Sequence, residues 1–105
     1  MMIPIRYREF YDVPRIFLVE FRGYLFLFES MFDEKFDDYS IDYDVFMMPQ
    51  DSALDLLGSW DQLSAKALKH LGKCPIENVT FDESRRREID AGPLEELGAR
   101  IGLWQ

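Results

Sequence analysis

The sequence predicts an α+β domain: a small, mainly antiparallel sheet of about four strands, with two helices in the C-terminal half. Three observations predict it. Alternating, β-branched and aromatic runs crowd residues 3–48, apolar residues at helical spacing appear only from Trp60 onward, and the clearest turn signal, Arg22-Gly23, lies between two aromatic runs. A chain of 105 residues that is 48% hydrophobic has room for one domain spanning 1–105 and enough apolar material to fill its core.

Ile3, Ile5 and Tyr7 alternate with Arg6 and Arg8, which reads as a half-exposed first strand ending near Phe10. Val13-Pro14 breaks it. Arg15 to Phe21 and Tyr24 to Glu29 then form a hairpin about Arg22-Gly23. Arg before Gly favours a type I turn with a glycine bulge over a type I′ turn, in which Arg22 needs positive φ. With a two-residue loop, Phe17, Val19 and Phe21 share a face with Tyr24, Phe26 and Phe28, while Ile16 and Leu18 share the other with Leu25 and Leu27; with a bulged loop the partners swap. Both faces stay apolar in either register, so the hairpin is either central and covered twice or meets a second chain or a ligand. The face carrying Phe17, Val19, Phe21, Tyr24, Phe26 and Phe28 is the expected oligomer face, in a homodimer.

Ser30 to Ser40 reads as a loop rich in Asp and aromatics. A third strand is expected from Ile41, with Tyr43, Val45 and Met47 on one face and Asp42, Asp44, Phe46 and Met48 on the other; its acidic first half suits a sheet edge. Asp51 or Ser52 is placed to cap a short turn through Leu57-Gly58, and Ser59 with Gln62 matches a capping box. Trp60, Leu63, Ser64, Ala67, Leu68 and Leu71 make the inward stripe of a helix over 60–71 that Gly72 stops. Ile76 to Phe81 supplies a fourth strand. Pro93 opens a second helix over 93–104 with Leu94, Leu97, Ile101 and Trp104 inward, weakened by Gly98 and Gly102 and so dependent on docking.

A formal charge of −8 opposes binding to nucleic acid and to an anionic membrane surface. The apolar runs are far shorter than the roughly 20 residues of a membrane span, and no signal-peptide core precedes the first charges, so the expected compartment is cytoplasmic. Cys74 is the one cysteine, which excludes an internal disulfide and a multi-cysteine zinc site. His70 and Cys74, four apart, would share a helix face as a Cys–His pair, but Gly72 and Pro75 interrupt the helix, and a structural His and Cys is the simpler reading.

Residues 1–52 carry 5 basic and 11 acidic groups. Read as a calcium loop from Asp33, the segment has Lys35 at position three, Asp38 where glycine is required and Asp44 where a bidentate Glu is expected, so the EF-hand reading fails. Charge runs are usually solvated faces. The functional alternative is an acidic, tyrosine-studded surface for a basic protein, built from Asp37, Asp38, Tyr39, Asp42, Tyr43 and Asp44. Arg85-Arg86-Arg87 is the one dense basic cluster, and residues 33–44 are its nearest counter-charge, within the chain or between subunits. No nucleophile elbow, Walker loop, dinucleotide fingerprint or HExxH motif is present, and no cofactor is expected. The leading expectation is a non-catalytic interaction protein, of inhibitor or immunity type by analogy, that self-associates and binds a basic partner. The rival is a small metal-dependent hydrolase using carboxylates of segment 29–44, which needs those groups to converge.

Overall fold

The computed structural model describes residues 1–51, 60 and 63–104. The chain is mostly strand. β1 (Met2–Tyr11), β2 (Val13–Phe21), β3 (Tyr24–Glu29), β6 (Asp42–Met48), β7 (Lys69–Pro75) and β8 (Glu88–Asp90) form one antiparallel sheet in the order β7-β6-β3-β2-β1-β8. β4 (Phe32–Asp33) and β5 (Asp38–Tyr39) pair separately, and α1 (Gly92–Arg100) is the one α-helix among the described residues. The expected four strands and two helices are thus replaced by a six-stranded sheet, a two-stranded ribbon and one helix.

The expected helix over 60–71 accounts for most of the difference. Leu63–Lys66 is a single 3-10 turn, and Lys69 to Pro75 is a strand paired to β6. The helical stripe was read from side chains that do face the sheet, for Leu63 is buried on it with Trp60 and Ala67 beside it, but they do so from a short turn and a connecting segment. Leu68, assigned to the same stripe, is exposed. Lys-His-Leu-Gly-Lys-Cys-Pro has little strand propensity of its own; pairing along β6 overrides it. The expected turn through 52–58 and the Ser59–Gln62 capping box lie outside the described residues. The expected strand 76–81 is instead a 3-10 turn at Ile76–Asn78, after which Phe81 makes one bridge to Ile89.

The hairpin is central and covered on both faces within the chain, one of the two arrangements its apolar faces allow. Phe21 pairs with Tyr24, so the loop has two residues, and both Arg22 and Gly23 take positive φ, 52° and 82°. The expected glycine bulge is therefore replaced by a turn of type I′ character. The Arg22 side chain donates from one nitrogen to both carboxylate oxygens of Glu95 at 2.9 Å and lies 5.0 Å from the centre of the Trp104 ring. Val13-Pro14, expected to break a strand, begins β2 after a turn at Asp12. Flanked by β3 and β7, β6 is interior rather than an edge.

Two clusters cover the sheet. On one face Phe17, Val19, Phe21, Phe26 and Phe28 pack with Tyr43, Val45, Ile89, Leu94 and Leu97, closed by Tyr24, Phe81, Leu103 and Trp104. The six residues assigned to an oligomer face thus lie in the chain's own core, covered by α1 and its flanks; only Tyr24 is even half-exposed. On the opposite face Ile16, Leu18, Leu25, Leu27 and Met48 pack with Leu63, Phe46, Trp60 and Ala67. Among the described residues no helix is long and apolar enough to cross a membrane.

Candidate functional site

The β3–β6 hairpin runs past the end of the sheet. Beyond Glu29 and Asp44, the last residues of its ladder, the Ser40 amide donates to the Met31 carbonyl at 2.8 Å, and Phe32 and Asp33 pair with Tyr39 and Asp38. The result is an arm over residues 31–41, with a tip of Glu34, Lys35, Phe36 and Asp37 in which Asp37 takes φ 52°, a conformation Asp tolerates better than most residues. Asp33 and Asp38 carboxylates accept backbone amides of Lys35 and Tyr39. The Phe32 and Tyr39 rings meet edge to face at 5.1 Å across the ribbon.

Arg15 anchors the arm. Its guanidinium is buried, donates to the Tyr11 carbonyl, the Ser30 hydroxyl and the Asp12 carboxylate, and lies 4.6 Å from the centre of the Tyr39 ring. Ser30 in turn donates to the Ser40 carbonyl at 2.9 Å. One charged side chain therefore ties the β1–β2 turn to both strands of the arm. Sequence reasoning gave Arg15 no role; the available signal was a lone charge at the head of an otherwise apolar run, a position where burial demands partners.

The six residues expected to form the partner surface divide into three groups. Asp37, Asp38 and Tyr39 are on the arm, with Tyr39 half-buried against Arg15. Asp42 is half-buried at its base, where its amide donates to the Ser40 hydroxyl oxygen at 3.1 Å. Tyr43 is fully buried, donates to the Pro14 carbonyl at 2.6 Å, and has its phenol pKa pushed up by that burial, so it belongs to the core and presents nothing to a partner. Asp44 lies on the opposite sheet face, 3.1 Å from His70 Nε2 and 3.8 Å from Lys73 Nζ. His70 and Cys74 are opposite Phe46 and Tyr43, which belong to different clusters, so the Cys–His pair faces two sides of the sheet and cannot act together.

Glu9, Ile16, Glu29, Asp44 and Lys73 are successive cross-strand partners, which puts three carboxylates in one row across the sheet. Burial raises the pKa of Glu29; the Ser64 hydroxyl bonded to it opposes this, and the charges of Asp44 and Glu9 add to it. Because the folded-state pKa lies above the unfolded one, ionised Glu29 opposes folding at neutral pH, and the folded state gains stability as pH falls through the raised value toward the ordinary one. Glu29→Gln is therefore expected to stabilise the protein at pH 7, with an advantage over the native chain that shrinks toward pH 5 in urea melts; an advantage equal at both values would contradict this. Of the remaining acids of segment 29–44, Asp33, Glu34, Asp37 and Asp38 stand on the arm and Asp42 at its base, outside the row. Among the described residues no three His, Cys, Asp or Glu side chains are grouped to hold a metal ion.

What the arm does carry is apolar surface as well as charge. Met31, Phe32, Phe36 and Ile41 are 55%, 48%, 72% and 81% exposed, interleaved with Asp33, Glu34, Asp37 and Asp38 against Lys35 alone. Beside the arm base a cleft of about 580 Å³ is lined by Tyr11, Asp12, Arg15, Tyr39, Ile41 and Ile76.

The arginine run does not meet these acids. The loop joining Phe81 to β8 folds around the Asp82 carboxylate, which accepts the Ser84 hydroxyl and the amides of Ser84, Arg87 and Glu88; these bonds, led by the Ser84 hydroxyl, hold its pKa below the usual carboxylate range. The loop then runs along β1. The Ile5 amide donates to the Arg87 carbonyl at 2.8 Å, the Arg86 guanidinium lies 4.2 Å from the centre of the Phe10 ring, and Arg85 donates to the Asp12 carbonyl at 3.2 Å. This makes an exposed ridge of three arginines, Arg85, Arg86 and Arg87, beside β1, and among the described residues none of the three has a carboxylate within salt-bridge distance. No family model, curated protein or solved structure matches this chain.

Proposed function

We propose that the protein is a non-catalytic interaction module that uses the arm over residues 31–41 to engage a basic protein surface. The observation supporting this reading is the arm itself: four exposed apolar side chains and four acidic ones, held on a ribbon beyond the sheet by the buried Arg15. A solvated acidic loop has no need of exposed Phe32 and Phe36, whereas an interface combines an apolar centre with charges that steer and orient the partner. The rival hydrolase needs converging carboxylates, and the segment places its acids on an arm and on a separate sheet face.

A labelled oligo-arginine peptide provides the test. Asp33, Asp37 and Asp38 changed together to Asn keep their backbone-accepting oxygens and are expected to weaken peptide binding at least tenfold at low salt. Neutralising three exposed acids elsewhere, Glu20, Asp51 and Glu96, removes the same net charge and is expected to weaken it by no more than about twofold, the screened effect of distant charges. Equal losses from the two sets would reduce the arm to a share of the overall negative field and overturn the reading.

A further inference from the structure

The acidic arm and the ridge of Arg85, Arg86 and Arg87 carry opposite charge and lie side by side. The ring of Tyr11, at the end of β1, is 5.8 Å from that of Tyr39 on the arm, and Asp12 next to it receives Arg15 from the arm side and Arg85 from the ridge side. Among the described residues neither patch meets a counter-charge: the arm's acids Asp33 and Asp38 accept only local backbone amides, and the ridge has no carboxylate partner.

We infer that the arm docks on the arginine ridge of a second copy of this chain, reciprocally, so that two chains associate about a two-fold axis passing beside Tyr11. This rests on the arm reading and names the basic surface it meets. Adjacency of complementary patches is what a closed two-fold interface requires, because each patch then faces its complement rather than itself. Both sides are also preorganised, the arm by Arg15 and the ridge by the Asp82 turn, so docking orders little chain. Phe32 and Phe36 bring apolar area to the contact, and the exposed Tyr7 ring, edge to face with Phe10 at 6.0 Å, offers a counterpart on the ridge.

The test is a charge exchange read by sedimentation. The native chain is expected at the mass of two copies at about 20 mM salt and of one at about 0.5 M, where screening cuts in at a few ångströms. Arg85→Glu, Arg86→Glu and Arg87→Glu together, or Glu34→Lys, Asp37→Lys and Asp38→Lys together, are each expected to give a monomer at low salt. Mixing the two variants restores both complementary contacts and is expected to restore a heterodimer, a result that also proves both variants folded. A native chain that stays monomeric at low salt, a dimer indifferent to both exchanges, or two variants with native circular dichroism that fail to recombine would overturn the inference; species heavier than two chains would overturn the closed arrangement. If the monomeric chain still binds oligo-arginine through Asp33, Asp37 and Asp38, the arm reading stands without the second copy, and if it does not, both fall.

Discussion

Replacing Phe17 by alanine is expected to cost about 3–5 kcal/mol, the range for emptying a fully buried aromatic site. Phe17 is 0% exposed, stacks on Phe28 at 4.8 Å, and meets Tyr43 and Phe81 edge to face. Against a total stability of ~5–15 kcal/mol the loss leaves a marginal domain. The measurement that matters is urea unfolding across a hundredfold range of protein concentration. Were Phe17 part of a subunit interface, its removal would act on association, and the loss would fade as the native protein is diluted to monomers. In the core of a single chain the loss is the same at every concentration. The same substitution at Phe36, exposed on the arm, is expected to leave stability within about 0.5 kcal/mol of native.

That contrast marks how far the sequence could be read. The double-faced hairpin was legible because local signals agreed: a turn dipeptide, β-branched and aromatic runs, and apolar character on both sides of the pleat. Which of its two coverings applied was not, because the layer over Phe17 and Phe28 is assembled from Ile89, Leu94 and Trp104, more than sixty residues away. β7 was illegible for a related reason. Lys69 to Pro75 carries a glycine, a proline and two lysines, and only its alignment along β6 makes it a strand, while Leu63, Ala67 and Leu71 satisfied a helical period by belonging to two different sheet faces. Part of the site showed through. Acid and aromatic density marked residues 31–41, and the period of two along β6 already separated Tyr43 from Asp44; the place of Arg85 to Arg87 beside the arm did not show, because it depends on β8 pairing with β1.

Gly98 reverses the sign that sequence reasoning assigns it. In an exposed helix, replacing glycine by alanine gains about 1 kcal/mol, and on that ground Gly98 weakens α1. In the folded chain α1 ends in a Schellman arrangement: Gly102 takes φ 73°, its amide bonds to the Ala99 carbonyl, and the Leu103 amide reaches back to the Gly98 carbonyl at 2.7 Å. The chain thereby reverses and lays Trp104 across the helix, with Nε1 donating to the Glu95 carbonyl at 3.1 Å and the indole edge to face with Phe21 and Phe26. A β-carbon on Gly98 would lie 2.0 Å from the indole ring. Gly98→Ala is therefore expected to destabilise by about 1–3 kcal/mol, the cost of overpacking a filled site, with a loss of the near-ultraviolet signal of Trp104. The background Trp104→Ala separates the two effects. With the ring gone the collision is gone, and the same Gly98→Ala change is expected to stabilise by up to about 1 kcal/mol through helix propensity alone. The change of sign across the double-mutant cycle is a coupling that only the indole seated on Gly98 produces; a loss that persisted without Trp104 would place the constraint in the backbone of α1 instead.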